Sequence, residues 1–298
     1  MPVGGVHVPQ RRDKMRLQSF LSQAGISSRR SVVEELEAGK VKVNGEVVRI
    51  PSYPIFPGKD HVTYLDQEVS LSAVKKLYFI FNKPRGIITT AEDTHGRKTV
   101  LDYFKNVKAR LYPVGRLDQD TTGLLLITND GDLAHKLMHP SFGVQKVYEA
   151  VIDKEISKPE IRQLEQGIVI EGEKTAPCQI KALSVRNGKS KVEVILHEGR
   201  KRQIRNMFQV IGMKVIHLHR KRYGPLNLKG LTPGKSRLLT SEELNMILKE
   251  VSGKPTRGGN RGREDRFSIK SGNEPAHDAP AREHRGHGLR RRHSFHRG

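Results

Sequence analysis

Residues 14–72 are the first segment in which apolar and polar positions alternate regularly, and the pattern predicts a small compact module. Apolar residues at helical spacing predict two short helices; they are Leu17, Phe20, Leu21 and Ala24, then Val32, Val33 and Leu36. Gly25 and Gly39 follow these groups and can close the helices in left-handed caps. The next stretch, KVKVNGEVV, alternates around Asn44-Gly45, which is typical of a type I′ hairpin.

Residues 73–250 carry most of the remaining periodicity and predict a mixed, mainly antiparallel sheet. Strands are predicted at Leu77–Phe81, Val114–Leu117, Leu124–Thr128, Lys146–Ile152 and Val215–Leu218, with two more in residues 177–198 joined at Asn187-Gly188. Helices are predicted at Leu133–Met138 and Arg200–Ile211. The predicted fold class is therefore α+β, with a small helix-helix-hairpin domain ahead of a sheet domain.

Both ends of the chain differ in composition from these two modules. Residues 1–13 form a basic leader, and residues 251–298 are rich in Gly, Arg and His with few aliphatic residues. Because such a segment cannot bury enough apolar surface to offset its ordering entropy, we expect a disordered basic tail. The predicted organisation is a leader over 1–13, domains over 14–72 and 73–250, and a tail over 251–298.

The net charge of the chain limits the kinds of molecule that it is expected to bind. The 298 residues carry a net charge of +22, of which +7 lies in the tail, and such an excess favours nucleic acid. A single cysteine, Cys178, excludes an internal disulfide and a zinc site built from cysteines, which fits a reducing compartment. The N-terminus has no apolar stretch typical of a signal peptide, and the longest aliphatic run, Leu124–Ile127, is too short to span a bilayer. We expect a cytoplasmic protein with no membrane partner.

Basic residues are concentrated in the small module, where Arg16, Arg29, Arg30 and Lys40 are candidate RNA contacts. Any one of them could instead be an ordinary solvated charge, but the cluster favours RNA. The stretch MRLQSFLSQAGISSRRSVVEELEAGKVKVNGEVV resembles the small RNA-binding module first known from a small-subunit ribosomal protein and also found in tyrosyl-tRNA synthetases. That resemblance implies a fold and RNA binding, and says nothing of chemistry.

Candidate chemistry lies in a polar loop that holds Asp118 and Asp120 between apolar strands. Aspartates in such loops commonly satisfy backbone N–H groups, and a pair of them can also bind a metal, as in nucleases. His135 and His139 have the spacing of metal ligands on a helix, but no glutamate lies next to His135 as the zinc-protease motif requires. We interpret both histidines as capping or RNA-contacting residues and predict no metal site.

The segment GRLDQDTTGLLLITNDG resembles the central motif of the ribosomal-RNA pseudouridine synthases, in the branch typified by RsuA and RluB. Three further segments agree in order and spacing: FNKPRG at 81–86, KVYEA at 146–150 and EGRKRQIRNMF at 198–208. The closing segment HRKRYGPLNLKGLTPGKSRLLT is also typical of this family. The resemblance runs over about residues 14–245, the small RNA-binding module included.

This resemblance implies roles for particular residues. Asp118 matches the essential aspartate, Tyr148 the tyrosine that stacks on the target base, and Arg205 the basic residue that pairs with the aspartate. Ile204 is expected to supply an apolar wall, and Arg116 to help hold a flipped-out nucleotide. Lys83, in the FNKPRG segment, is also expected to contact the substrate.

The implied reaction is consistent with these residue types. Pseudouridine forms when the bond between N1 and C1′ breaks, the uracil turns, and C5 joins C1′, so nothing is oxidised and no cofactor is required. A stacked uracil cannot turn, so its nucleotide must first leave the helix. A carboxylate at Asp118 could attack C1′ or take a proton from C2′ to give a glycal, and a close Arg205 would stabilise its charge where water is excluded.

Other interpretations stay open at the level of sequence. A non-catalytic ribosome-assembly factor would explain the charge and the small module, but not the grouping of Asp118, Tyr148 and Arg205. A metal-dependent nuclease would use Asp118 and Asp120. Within the resemblance, large-subunit ribosomal RNA is favoured over small-subunit RNA, as naked RNA or an assembly intermediate, and a monomer is expected.

Overall fold

The computed structural model describes residues 14–28, 30–71, 75–91 and 93–253. Arg29 and the predicted leader and tail lie outside the described residues, apart from residues 251–253. Within the described ranges, the chain forms a mixed α+β structure with a small N-terminal module and one large mixed sheet.

The small module has its own hydrophobic core. Its elements are β1 (Met15–Arg16), α1 (Leu17–Gln23), α2 (Ser31–Glu37), β2 (Val41–Val43), β3 (Glu46–Val47), β4 (Pro54–Ile55), β5 (Val62–Tyr64) and β6 (Gln67–Glu68). Leu17, Phe20 and Leu21 are buried against α2 and the strands, as their helical spacing predicts. The sheet order is β3-β2-β5-β6, and β1 pairs separately with β4.

The turns of this module have left-handed backbone at the predicted glycines. Gly25 follows α1 with φ of 88°, and Gly39 follows α2 with φ of 73°, so both helices end in left-handed backbone. Asn44 and Gly45 both have positive φ between β2 and β3, which is the geometry of a type I′ hairpin.

The larger module follows from residue 75. Its strands are β7 (Tyr78–Lys83), β8 (Tyr112–Val114), β9 (Thr121–Thr128), β10 (Lys146–Ile152), β11 (Val169–Ile170), β12 (Glu173–Lys174), β13 (Gln179–Arg186), β14 (Lys189–Leu196), β15 (Val215–Tyr223), β16 (Leu226–Asn227) and β17 (Ser236–Leu238). Its helices are α3 (Gly131–Met138), α4 (Lys158–Glu165), α5 (Gln203–Val210) and α6 (Ser241–Glu250). Short 3₁₀ segments cover Val100–Phe104 and Pro140–Phe142.

Nine of these strands form one sheet in the order β13-β14-β10-β15-β9-β7-β17, with β16 added to β15 and β8 to β9. The β15–β9 pair is parallel and the other pairs of this sheet are antiparallel, so the sheet is mixed. The parallel contact is short, joining Leu218–Arg220 to Thr121–Gly123. It brings the start of β9, and the loop before it, to the centre of the sheet beside β15 and β10.

Three apolar clusters pack against this sheet. One packs α5 against β10, β13, β14 and β15; a second packs α3 and α6 against β7 and β9; a third lies under β7 and β9 on the side of the segment Val100–Phe104. Tyr148 packs against two of them, at the boundary between β10 and its neighbours.

Several predicted boundaries are wrong: the strand predicted from Leu124 begins at Thr121, and the strand predicted to end at Leu218 runs to Tyr223. Two further errors lie beside the candidate chemistry. The strand predicted to reach Leu117 ends at Val114, because residues 115–120 form a loop in which Thr89 holds Leu117 through both its carbonyl and its N–H. The helix predicted from Arg200 begins at Gln203, because Arg202 lies in the left-handed region with φ of 51°. The two irregular segments face the same cavity.

Candidate active site

Asp118 lies in a tight turn at the start of β9. The N–H of Thr121 donates to the Asp118 carbonyl at 3.0 Å, which closes a four-residue turn. The N–H of Gly86 donates to the Gln119 carbonyl at 2.8 Å, and Thr89 fixes Leu117 just before the turn. The backbone on both sides of Asp118 is therefore tied to the segment that follows β7.

Lys83 holds this turn together through hydrogen bonds to its carbonyl oxygens. Its side chain is 0% exposed, and its ammonium lies 2.8 to 3.3 Å from four carbonyl oxygens, those of Pro84, Asp118, Gln119 and Thr121. Burial lowers the pKa of Lys83 to about 8, while Asp120 and Asp118 oppose that shift. The ammonium is enclosed by the turn and Lys83 does not line the cavity, so the structure gives no direct support to the prediction that Lys83 contacts the substrate.

Lys83→Met is expected to remove the donor from these carbonyl oxygens while keeping most of the side-chain volume. Carbonyl groups left buried without a donor cost about 1–3 kcal/mol each, so we expect a folded but less stable protein whose turn no longer holds Asp118. Thermal unfolding and pseudouridine formation should both fall. Lys181→Met, on the exposed face of β13, serves as the control. Unchanged melting and activity in Lys83→Met would contradict this role.

Two aspartates and two arginines form a compact charged group at the turn. Arg205 lies in α5 and is 9% exposed; it donates to the Val215 carbonyl at 2.8 Å and lies 2.9 Å from a carboxylate oxygen of Asp120. Arg202 lies 3.7 Å from Asp120 and 3.9 Å from Asp118.

The expected pairing of Arg205 with Asp118 is wrong in this structure. Anchoring of Arg205 at Val215 directs its other terminal nitrogen to Asp120, and among the described residues the cation within ion-pair distance of Asp118 is Arg202. Burial lowers the pKa of Arg205, an effect that Asp120 and, more weakly, Asp118 oppose. Arg205 therefore also interacts electrostatically with Asp118 at longer range, although its direct contact is with Asp120.

A cavity of about 760 Å³ opens beside Asp118. Four of the expected site residues line it: Asp118, Tyr148, Ile204 and Arg116. Asp118 keeps 32% of its side chain exposed, so a ligand in the cavity can reach the carboxylate. The volume falls in the range of cavities that hold small organic ligands and is sufficient for a nucleotide.

The tyrosine and its neighbours form one wall of this cavity. Tyr148 lies in β10 directly opposite Arg220 in β15, and Arg220 donates to its hydroxyl at 3.4 Å. The guanidinium of Arg220 also lies 5.9 Å from the Tyr148 ring centroid. Ile204, 3% exposed, supplies apolar surface from α5. Such an arrangement of a ring, an aliphatic side chain and a carboxylate suits an unstacked base and its sugar.

The rest of the lining is strongly basic. Six cationic side chains line the cavity: Arg116, Lys146, Arg200, Lys201, Arg202 and Arg220. A second, smaller hollow of about 360 Å³ adjoins it and is lined by Arg85, Gly86, Gln119, Asp120 and Arg202. Arg202 belongs to both, so a positively charged surface continues from the cavity to the turn after β7. This distribution favours a ligand with phosphates on either side of the residue that enters the cavity.

The basic candidates of the small module have different surroundings. Arg16 and Arg30 are exposed, and Arg30 lies at the start of α2. Lys40 is exposed but lies 2.8 Å from Glu35, so a ligand would have to compete with that ion pair. Arg110 of the larger module donates to the Ser27 carbonyl at 2.6 Å and to the Ser22 hydroxyl at 3.2 Å, which joins the two modules.

Several site residues were not found from the sequence. Arg202, Lys146 and Arg220 lie in segments that carry the resemblance, but each has other basic residues close by in sequence, so position alone did not distinguish them. Their place in the cavity does, and Lys146 and Arg220 are also buried. The partnership of Asp120 with Arg205 spans 85 positions and has no local signal.

The described residues contain neither a cluster of metal-binding side chains nor a membrane-spanning helix. Among the described residues, no three side chains of His, Cys, Asp or Glu come together as a metal would require. His139 accepts from the N–H of Ser141 at 3.3 Å, as a capping residue does. Over the same ranges, no helix combines the length and apolar character needed to cross a membrane.

Two family models match this chain. A family model described as RNA pseudouridylate synthase matches residues 77–210, and a model of the S4 domain matches residues 15–60. The ribosomal large subunit pseudouridine synthase B of Bacillus subtilis is 45% identical over 234 residues, which cover 78% of this chain and 95% of that protein.

One further relative and one solved structure are similar over most of this chain. The ribosomal small subunit pseudouridine synthase A of Yersinia pestis is 36% identical over 78% of this chain and 98% of that protein. A solved structure of a pseudouridylate synthase is 29% identical with a TM-score of 0.57, and the match covers 78% of this chain and 99% of that one.

Proposed function

Since this chain belongs to the RNA pseudouridine synthase family, we propose that it converts one uridine of large-subunit ribosomal RNA to pseudouridine, with Asp118 as the catalytic carboxylate. The observation that carries the proposal is the cavity that brings Asp118, Tyr148 and Ile204 together. Identity of 45% to a large-subunit synthase against 36% to a small-subunit one supports the choice of subunit.

The roles follow from where each side chain lies. Asp118 is held by a fixed backbone turn with its carboxylate at the cavity, where it can act on C1′ or C2′ of a flipped-out nucleotide. Tyr148 covers one face of the uracil, and stacking permits the base to rotate. Arg202 and Arg205 stabilise the anionic group of Asp118 and Asp120. Arg116 lies at the exposed mouth of the cavity, where it can contact a phosphate of the substrate.

The small module is proposed to add affinity rather than chemistry. Its exposed cations, Arg16 and Arg30, can contact phosphates of the same RNA, and Lys40 is a further exposed candidate. Arg29, which lies outside the described residues, remains a candidate from the sequence alone. We propose that domains over 14–72 and 73–250 act together as a monomer in the cytoplasm, on ribosomal RNA or an assembly intermediate. Because the reaction is an isomerisation, it balances without a cofactor.

Release of tritium from RNA labelled at C5 of uridine tests the proposed reaction, since forming the bond between C5 and C1′ expels the C5 hydrogen. With a metal chelator present, we expect tritium release and RNA of unchanged length. RNA cut in a chelator-sensitive way would favour a nuclease built on Asp118 and Asp120. Tight binding with no tritium release, on naked RNA and on precursor ribosomal particles alike, would favour an assembly factor.

A further inference from the structure

Two cations are buried at the wall of the cavity without a carboxylate partner. Lys146 in β10 is 8% exposed and Arg220 in β15 is 3% exposed, and both line the cavity that holds Asp118. Among the described residues, no carboxylate oxygen lies within the 4.0 Å of an ion pair from either side chain. A buried cation without such a partner is costly, so its retention beside a cavity indicates a ligand that supplies the missing charge.

Within the protein, the side chains of Lys146 and Arg220 have only some of the hydrogen-bond acceptors that they could use. Lys146 donates to the Val144 carbonyl at 2.9 Å and lies 5.5 Å from the Tyr223 ring centroid. Arg220 donates to the Leu124 carbonyl at 2.7 Å and lies 5.0 Å from the same ring centroid. One terminal nitrogen of Arg220, Nη2, is buried without any hydrogen-bond partner. Burial and the neighbouring Arg220 lower the pKa of Lys146 to about 8, although Glu198, beyond ion-pair distance, opposes that shift.

Strand register places both cations around the tyrosine proposed to hold the base. In the pairing of β10 with β15, Tyr148 lies opposite Arg220 and Lys146 lies opposite Tyr223. Lys146 and Tyr148 are two residues apart on one strand, so their side chains point to the same side of the sheet. A uracil stacked on Tyr148 would therefore have a buried cation beside it on the neighbouring strand and another along its own strand.

The chemistry of the reaction requires stabilisation of a negative charge at this place. If Asp118 attacks C1′, a bond between its oxygen and C1′ forms as the bond to N1 breaks, and the electron pair leaves with the uracil. If Asp118 instead takes the C2′ proton, a double bond forms between C1′ and C2′ and the uracil again leaves with the electron pair. Both routes give the same uracil anion, with its charge shared by N1, O2 and O4.

We propose that Lys146 and Arg220 form the binding site for this uracil anion, an assignment that rests on the proposed function. The anion turns, C5 bonds to C1′, and Asp118 is expelled or returns its proton to C2′. The C5 proton then leaves and N1 gains one, so the net change is an isomerisation. The three rotatable donors of a lysine ammonium can follow a turning base, while Arg220 is fixed by Leu124 and Tyr148.

The RNA also carries phosphates, which are anions. The structure favours the loop before α5, rather than Lys146 and Arg220, as the place where a phosphate binds. Arg200, Lys201 and Arg202 line the same cavity from the loop before α5, and side chains of this loop are more exposed than Lys146 and Arg220. Phosphates of the backbone can reach that loop without passing the tyrosine. The nearly buried pair lies at the wall of the cavity that Tyr148 also forms.

The test compares uridine with 5-fluorouridine at the target position of otherwise identical RNA. Fluorine withdraws electrons and stabilises the uracil anion, so it should compensate for a lost cation. The reaction is scored in single turnover by mass spectrometry of the carbon-linked nucleoside, which keeps its fluorine at C5 when the substrate is 5-fluorouridine because no C5 proton is there to leave. We expect Lys146→Met to react about 100-fold more slowly than the parent with uridine. With 5-fluorouridine we expect a loss of about 10-fold or less, and Arg220→Gln should show the same contrast.

Controls separate this role from folding and from RNA binding. Lys181→Met, an exposed change on β13, should alter neither rate, and Lys146→Met should keep its RNA affinity in filter binding. Equal slowing of both substrates would overturn the assignment, and so would weakened RNA affinity with an unchanged rate, which would indicate a phosphate contact. A parent that converts no uridine at all would instead overturn the proposed function and this assignment with it.

Discussion

Asp118→Asn is expected to lower the single-turnover rate of pseudouridine formation by about 10⁴-fold or more, the scale on which enzymes lose activity with their nucleophile. Asparagine keeps the size and shape of the side chain but carries no charge, so it can neither attack C1′ nor take a proton from C2′. The turn around residue 118 is made by backbone groups and by Lys83, and these contacts persist in the variant. Tritium release from RNA labelled at C5 measures the rate.

Asp120→Asn is the matched control, because it removes the other carboxylate of the same turn. Asp120 binds Arg205 at 2.9 Å and lines the neighbouring hollow rather than the main cavity. Its loss should release Arg205 and slow the reaction by about 10- to 100-fold, through positioning rather than chemistry. A greater loss in Asp120→Asn than in Asp118→Asn would contradict the assignment of Asp118 and favour Asp120 as the catalytic carboxylate.

Gly123→Ala is expected to be the most damaging change to the fold of the larger module. Gly123 has φ of 108°, and an added Cβ would lie 2.3 Å from the carbonyl oxygen, 2.7 Å from the nitrogen and 2.9 Å from the carbonyl carbon of Arg220. These atoms are backbone of β15 and cannot move without breaking the parallel pairing that brings Asp118 to the cavity. We expect a loss of about 3–5 kcal/mol, in the range of the most damaging single substitutions.

Thermal unfolding measures this effect, with Gly188→Ala as its control. Gly188 also has positive φ, of 67°, but no atom lies within 4 Å of an added Cβ there. It should cost only the strain of the backbone conformation, about 1 kcal/mol. Equal changes in the melting temperature of the two variants would show that the close approach of β9 to β15 does not matter.

Local elements were predictable wherever a short-range rule governs them. The turns at Asn44-Gly45 and Asn187-Gly188 and the strand Lys146–Ile152 occur where the sequence places them. The predictions failed at Leu117, which was placed in a strand, and at Arg202, which was placed in a helix. Both residues lie in loops beside the cavity. Tertiary contacts override local propensity at such positions, and functional loops are where this is expected.

Some members of the candidate site were predictable from the sequence, but its contacts were not. Motif resemblance identified Asp118, Tyr148, Ile204 and Arg116, and these four line one cavity. It could not show that Arg205 binds Asp120, since that contact depends on how α5 docks against the turn. It also assigned Lys83 to the substrate, although a lysine at the end of a central strand can be completely buried by the turn that it supports.

The most direct test of the central claim is to map pseudouridines in unmodified ribosomal RNA after incubation with the parent or Asp118→Asn. Carbodiimide labelling followed by reverse transcription gives a stop at each pseudouridine, and both subunit RNAs can be read in one experiment. The account predicts one new stop in large-subunit RNA with the parent and none with Asp118→Asn, at equal RNA binding. A stop that persists with Asp118→Asn would contradict the role of Asp118, and a stop confined to small-subunit RNA would contradict the proposed substrate.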